Sequence, residues 1–413
     1  MGSPFNYYQK IGSKPQDKAS LPESSAHAPR LGGRIFIYVQ HLLGTGHLKR
    51  AASLARALVR QGAHVELISG GMPVVHLSFP VFQLPPTRCD AGNLSTLFDE
   101  HGQPVSDAWR SRRRSKLIER FLAFDPDVLI TETFPFGRRQ MHFELLPLLD
   151  AAREAKRRPV IISSVRDVLQ KRRRKRIAET VSLIQQYFDR ILVHGDPALI
   201  EFGESFDLVD EINDKLVYTG YISEPYDMNR SAYSEGKEEI LVSGGGGAVS
   251  KRLFMTALKA QPLSKLKTLP WRLLVGHDLS EQDHIEIKSR AGHGVIVERA
   301  RDDFPSLLAK CAVSVSQCGY NTAVSLLQVG VRSVIVPYSG DGETEQALRA
   351  QRLHDRGYAI VLSETECTPR TLTNAIERAA KMTLPTGTID FRGAENSAQI
   401  IVQEFHTRMS LRP

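Results

Sequence analysis

Arg34-Ile35-Phe36-Ile37-Tyr38-Val39, followed by Gly44-Thr45-Gly46-His47 and an Ala/Leu/Arg-rich stretch, spells a buried strand, a glycine turn and a helix start. The second half of the chain repeats the order. Glu239-Ile240-Leu241-Val242 leads through Ser243-Gly244-Gly245-Gly246-Gly247 to Lys251-Arg252-Leu253-Phe254. A strand that opens through glycines into a helix leaves backbone N–H groups free at the helix start, where they attract an anion. Two such units in one chain predict two α/β domains facing each other over a cleft.

The remaining apolar runs fit that reading. Strands are predicted at His64–Ser69, Val128–Thr131, Val160–Ser163, Arg190–Val193 and Leu216–Tyr218. In the second half they fall at Arg272–Val275, Val295–Val297, Val313–Val315, Ser333–Val336 and Ala359–Leu362. Helical patterns lie between them, so each half reads as βα units and a parallel sheet. Ala52, Leu54, Ala55, Leu58 and Val59 sit at near-helical spacing before Gly62, which ends that helix. Residues 1–30 are polar and without periodicity, a disordered tail. Residues 31–222 form the first domain, 223–237 a polar linker and 238–390 the second domain. Ile400, Ile401 and Phe405 give 391–413 helical spacing.

At 413 residues and 41% hydrophobic content the chain has material for two cores. Its four cysteines, Cys89, Cys311, Cys318 and Cys367, show no C-x-x-C pair, which argues against a zinc knot or a disulfide framework and for a reduced, cytoplasmic protein. No apolar run reaches spanning length. The net charge of +8 is concentrated in Arg110–Lys116, with Arg112-Arg113-Arg114 at its centre, and in Lys171–Arg176. These runs are either solvated helix faces or a surface for anionic lipid headgroups or a phosphorylated acceptor. Nucleic acid is not expected, because no recognition helix, zinc finger or aromatic RNA-binding pattern accompanies the charge.

Four segments carry chemistry, each following a strand. At Gly44-Thr45-Gly46-His47 the G-x-G-x-x-G pattern of a dinucleotide site is incomplete. His47 stands at the helix mouth, where the dipole lowers an imidazole's pKa and keeps it available as a general base; the plainer reading is a capping or exposed histidine. Ser243–Gly247 lacks the lysine of an ATP-hydrolysing loop, yet suits a diphosphate bound through backbone amides. Gly319, Asn321 and Thr322 offer close approach, a cap and a hydroxyl, all suited to phosphate. Glu345 and Gln346 open a helix after Ser339-Gly340-Asp341-Gly342 and can meet vicinal sugar hydroxyls; Glu343 and Glu345 also read as first-turn acids complementing the helix dipole.

From these segments the chain resembles GT-B glycosyltransferases of the family 28 type, with two Rossmann-like domains whose parallel sheets face each other across a cleft. The resemblance covers about residues 34–405 and is strongest over Ser243–Gly247 and Val313–Gln351. It implies a nucleotide-sugar donor, UDP-linked as in a UDP-N-acetylhexosamine, in the C-terminal domain and an acceptor hydroxyl, lipid-linked or part of a polysaccharide precursor, at the N-terminal domain. The last helix crosses back to the N-terminal domain, and neither metal nor cofactor is needed. By position, Ser243 to Gly247 with Gly319, Asn321 and Thr322 would hold the diphosphate, and Arg301 would lie in the loop over the base. Glu345 and Gln346 would meet the donor sugar, and His47 would be the base in the acceptor-side loop of Gly44, Thr45 and Gly46. Relatives carry a glutamate for the ribose where this chain has Ser325. Gly44–Arg50 also resembles the G-x-G-H-x-x-R loop of a nucleotide-sugar hydrolase of the pseudaminic acid pathway, in which water replaces the acceptor. A non-catalytic nucleotide-sugar-binding protein is the remaining alternative.

Overall fold

Each apolar run of the first half is a strand of one parallel sheet, in a computed structural model that describes residues 33–42, 44–75, 77–90, 93–223, 237–245 and 250–410. The tail 1–30, residues 224–236 of the linker, and Gly246 and Gly247 lie outside the described residues. β1 (Arg34–Val39) is followed by α1 (Gly46–Arg60), β2 (His64–Ser69) and β3 (Phe82–Gln83). Next come β4 (Arg88–Asp90), β5 (Asn93–Phe98) and α2 (Asp107–Phe124). β6 (Val128–Glu132), α3 (His142–Glu154), β7 (Val160–Arg166), α4 (Arg174–Tyr187), β8 (Arg190–His194) and β9 (Leu216–Tyr218) complete the half.

The second half runs β10 (Ile240–Ser243), α5 (Lys251–Ala260), β11 (Trp271–Val275), α6 (Glu281–Ser289), β12 (Val295–Arg299) and α7 (Phe304–Lys310). It continues through β13 (Val313–Ser316), α8 (Tyr320–Val329), β14 (Ser333–Ile335), α9 (Glu345–Asp355) and β15 (Ile360–Val361). Helices α10 (Pro369–Ala379) and α11 (Gly393–Ser410) follow.

The first sheet has the order β3-β2-β1-β6-β7-β8-β9 and the second β12-β11-β10-β13-β14-β15. This is the α/β class read from the sequence. In each sheet the chain leaves the first strand to one side and returns on the other, so β1 lies between β2 and β6, and β10 between β11 and β13. Such a reversal opens a crevice at the C-terminal end of the first strand. Both glycine turns stand at these two points. β3 and the antiparallel β4–β5 pair are additions to the predicted strands. They are short and mix polar with apolar residues, so no alternating pattern marks them.

Alanines decide where the last helix goes. Leu48, Ala51, Ala52, Ala55 and Leu58 of α1 share a buried cluster with Ala394, Ala398, Ile401 and Val402 of α11. Small side chains on both helices let the axes approach closely, and α11 thereby packs on the first half of the chain. The basic run of α2 is split by the same logic of faces. Arg112 and Arg114 are exposed, but Arg113 is fully buried. It donates through Nε to Glu144 Oε2 (2.6 Å), through Nη2 to Gln40 Oε1 (2.6 Å) and through Nη1 to the Gly70 carbonyl (2.8 Å). Arg113 is therefore removed from the expected membrane-facing set; a buried Glu144 needs its charge.

The two halves meet at a fully buried ion pair. Arg349 of α9 donates to Asp167, just after β7, from Nε (3.0 Å) and Nη2 (2.7 Å), and from Nη1 to the Cys318 carbonyl (2.9 Å). The side chains are 2% and 0% exposed. Around them an apolar cluster joins Val168, Leu199, Ile200 and Tyr221 to Leu241, Tyr320, Ala350 and Leu353. Removing one partner leaves the other charge buried and unpaired, so Asp167→Ala is expected to destabilise the protein by about 3–5 kcal/mol in urea melts. The double change Asp167→Leu with Arg349→Met is expected to recover most of that loss. A single change that leaves the midpoint unmoved would mean that the pair contributes nothing.

Candidate functional site

Two helix starts meet at the centre of the molecule. Neither α1 nor α8 carries an acidic residue in its first turn or a side-chain cap on its N–H groups. In α8 the first ladder bond runs from Ala323 N–H to the Gly319 carbonyl (2.9 Å), which leaves the Tyr320, Asn321 and Thr322 N–H groups outside the helix's own bonding. A Cβ on Gly46 would stand 2.7 Å from Asn321 Nδ2, so a larger residue there would push the Asn321 amide aside. Gly245 (φ 63°) lies within 3.9 Å of Thr322 Oγ1 by the same measure. The acceptor-side turn, the second glycine turn and the start of α8 are thus brought together. Ser243 and Ser316, register partners on β10 and β13, are buried beside them, and their hydroxyls find no partner among the described residues. Unpaired buried hydroxyls cost about 1–3 kcal/mol each and offer donors to a ligand.

His47 is the second residue of α1, and its Nδ1 lies 2.9 Å from Glu132 Oε1 at the end of β6. Arg50, one helical turn on, pairs with the same carboxylate oxygen, and Thr133 donates to it at 3.2 Å. Ser164 of β7 donates to Glu132 Oε2 (2.6 Å). The chain continues through His194 of β8, whose Nε2 is 2.8 Å from Ser164 Oγ and whose Nδ1 is 2.9 Å from Thr219 Oγ1. Although burial opposes it, Arg50 and His47 hold the Glu132 carboxyl below the usual range, so it is ionised and only accepts. Facing that carboxylate, Nδ1 of His47 is assigned the proton and Nε2 the lone pair, with Arg50 Nη2 also 3.0 Å from Nδ1. Burial, with Arg138 next, pushes His47 down to about 3, and burial with Arg50 does the same to His194. At neutral pH both imidazoles are uncharged.

Arg138 lies in the loop after β6 with left-handed backbone (φ 63°) and donates from Nε to the Gln40 carbonyl (2.6 Å). Among the described residues no carboxylate pairs with it. Burial and the like charge of Arg166 lower it to about 10.

The other sequence-predicted residues are placed as follows. Gly44 (φ 61°) and Thr45 lead into α1, and Gly319 is the residue before α8. Ser325 turns its hydroxyl back to the Asn321 carbonyl (3.0 Å). Arg301 is held by Asp303 at 2.8 and 2.7 Å. Glu345 is buried and bound to Arg166 of β7 (2.6 Å). The Gln346 side-chain carbonyl accepts from the Cys318 (2.9 Å) and Tyr338 (3.2 Å) N–H groups, tying two strand ends together. Glu132, Ser164, His194 and Arg138 were not singled out from the sequence, and Arg50 appeared there only as the last residue of the G-x-G-H-x-x-R stretch. Glu132 left a signal as an acid closing the apolar run Val128-Leu129-Ile130. Among the described residues no group of three or more His, Cys, Asp or Glu could hold a metal ion.

Two parallel sheets with crevices opposed, and helix starts meeting between them, define the GT-B class of protein. Solved structures show the same fold. The calicheamicin glycosyltransferase CalG4 matches with a TM-score of 0.57 at 16% identity, covering 92% of this chain and 96% of that one. MurG of Acinetobacter baumannii matches with 0.53 at 14%, covering 91% and 99%. Residues 239–409 match the glycosyltransferase family 28 C-terminal domain. Residues 239–409 are thus similar to the family 28 C-terminal domain, and the chain around them has the GT-B fold. A relative from Thermotoga neapolitana, UDP-N-acetylglucosamine--N-acetylmuramyl-(pentapeptide) pyrophosphoryl-undecaprenol N-acetylglucosamine transferase, is 36% identical over 106 residues. That match covers 25% of this chain and 29% of the relative, less than a third of its length.

The two neutral histidines give stability a pH dependence of known sign. An unfolded histidine titrates near 6.5, so below that pH the unfolded chain binds protons that the folded protein refuses, and stability falls as pH drops. Between pH 7 and 5 the loss is on the order of 2 kcal/mol per histidine. Glu132 acts later, since its contribution is lost only below about 4.5. Urea melts at the two pH values are expected to show this slope, and His194→Gln to reduce it by about 2 kcal/mol; a variant with the parental slope would place His194 outside the linkage.

Proposed function

We propose that the protein is a glycosyltransferase that moves a sugar from a UDP-linked donor such as a UDP-N-acetylhexosamine to an acceptor hydroxyl. The observation that carries this reading is the His47–Glu132 pair beside the free N–H groups of α8. A neutral imidazole oriented through Nδ1 presents Nε2 to take the acceptor's proton. As the bond to the sugar breaks, charge grows on the leaving diphosphate. The Tyr320, Asn321 and Thr322 N–H groups, the Ser243 and Ser316 hydroxyls and the second glycine turn meet it. These donors do the work a metal does elsewhere, so EDTA is expected to leave the rate unchanged. Attack by a base-activated hydroxyl in one displacement inverts the anomeric centre.

His47→Ala is expected to lower UDP release in the presence of acceptor by about 10²–10⁴-fold while sparing UDP binding measured by calorimetry. Turnover near the parental rate in that variant would remove His47 from the chemistry. The same assay separates the alternatives. Release that needs no acceptor identifies a hydrolase, and binding without release a sensor. The retained base pair speaks for turnover, since mere binding does not require an ionised carboxylate behind an imidazole.

The proposed acceptor is anionic and lipid-linked, reached at the cytoplasmic surface of a membrane. Arg138, a half-buried cation without a carboxylate beside His47, supports the charge of that acceptor. The six consecutive exposed cations Lys171–Arg176, with Arg112 and Arg114, support the surface. Each adds about 1 kcal/mol near an anionic leaflet. Among the described residues no helix is long and apolar enough to cross a membrane. Replacing Lys171–Arg176 with serines is expected to abolish sedimentation with phosphatidylglycerol vesicles and to leave binding to UDP unchanged; undiminished sedimentation would move the contact elsewhere.

A further inference from the structure

Tyr320 is the first residue of α8 and is 4% exposed. Its hydroxyl donates to the His194 carbonyl (3.1 Å) and accepts from the Ile222 N–H (3.3 Å). Its ring lies under the Arg50 guanidinium, 5.0 Å from the centroid, with Arg349 on it at 5.9 Å. These contacts lead to one place. Arg50 pairs with Glu132 Oε1, and the His194 side chain holds Ser164, which donates to Glu132 Oε2. Both oxygens of the carboxylate that orients His47 are therefore supported by residues that Tyr320 touches. Its backbone N–H, meanwhile, is one of the three left free at the start of α8.

We infer that Tyr320 is a positioning residue that couples the two sides of the cleft: a diphosphate seated on the start of α8 fixes Arg50 and His194, and through them Glu132 and His47. This rests on the donor reading above for the identity of the anion. An anion drawn to the first turn of α8 pulls on the residue whose own N–H it binds. The buried ring and hydroxyl transmit that pull, because neither has room to move independently. The coupling does not depend on the tyrosine's charge, since burial keeps the phenol protonated far above neutral pH. Its consequence is a base held more firmly in line when the donor is bound, which limits idle attack by water on a half-assembled site.

The test compares Tyr320→Phe, which loses the hydroxyl but keeps the ring under Arg50, with Tyr320→Leu, which loses both. UDP is the probe. The readout is the ¹⁵N imidazole spectrum of His47, titrated with and without saturating UDP. The charged groups facing that imidazole are Arg50 from its own helix, Glu132 from β6 and Arg138 from the loop after β6, with the Thr133 hydroxyl beside them. In the parent, UDP is expected to shift the His47 signals and its titration. In Tyr320→Phe the UDP affinity stays within about twofold while that response shrinks and kcat falls roughly tenfold at unchanged donor KM, the worth of one hydrogen bond. Tyr320→Leu loses the response entirely. A loss of folded protein alone would lower kcat without altering the imidazole response of the folded fraction. Equal UDP responses in parent and Tyr320→Phe, or UDP binding with no response in the parent, overturn the coupling alone. UDP that fails to bind the parent overturns the donor reading with it.

Discussion

A carboxylate sealed into the end of a central strand has to be neutralised, and the ionisation of Glu132 dictates much of what surrounds it. Desolvating a lone carboxylate costs several kcal/mol even after relaxation, so its position is tolerable only with a cation and full hydrogen bonding. Arg50 supplies the cation from α1, Ser164 fills the second oxygen from β7, and His194 holds Ser164 from β8. Four neighbouring elements thus end at one charge. The same charge favours the His47 tautomer with its proton on Nδ1, toward Glu132, and its lone pair on Nε2. A neutral acid in place of Glu132 would accept less strongly and would leave the tautomer undecided.

The second constraint sets the distance between the halves. Asp167 and Arg349 are both sealed from water, and the pair is continuous with the apolar cluster around Tyr320 and Tyr221. A buried pair of this kind resists sliding, because any shift that separates the charges leaves two of them desolvated. It therefore fixes the start of α8 opposite the start of α1, closely enough for Asn321 to occupy the space beside Gly46. The glycine of the first turn serves this approach. The second turn has Gly245 in the left-handed region and the Ser243 hydroxyl behind it without a partner among the described residues.

How much of this could be read from residues alone follows from range. Strands such as Val128–Glu132 and Val160–Arg166 are continuous apolar runs, so their existence and their parallel pairing are local properties of the chain. His47 is legible because its helix start is adjacent in sequence. Glu132, Ser164 and His194 reach it only through the strand order β1-β6-β7-β8, which no local pattern states. Arg113 shows the converse. Within the run R-S-R-R-R-S-K it looks like one more surface charge, and only the position of Glu144 on α3 reveals it as buried. Glu345 likewise reads as a ligand-facing or dipole-complementing acid until Arg166 of the other half is placed beside it.

The loop after β6 carries a tension that gives the cleft its chemistry. Thr133 (φ 69°) and Arg138 (φ 63°) both hold left-handed backbone, at a cost of order 1–3 kcal/mol each. That geometry turns Arg138 back over the Gln40 carbonyl, near Arg166 and beside His47. Burial first and the Arg138 charge next lower the His47 pKa to about 3. An anion beside Arg138 cancels that repulsion and leaves the raising influence of Glu132 unopposed on that side. The imidazole pKa would then rise, against the burial and the Arg50 charge that continue to lower it. A negatively charged substrate would in this way strengthen the group that acts on it, and an uncharged molecule entering the same cleft would not.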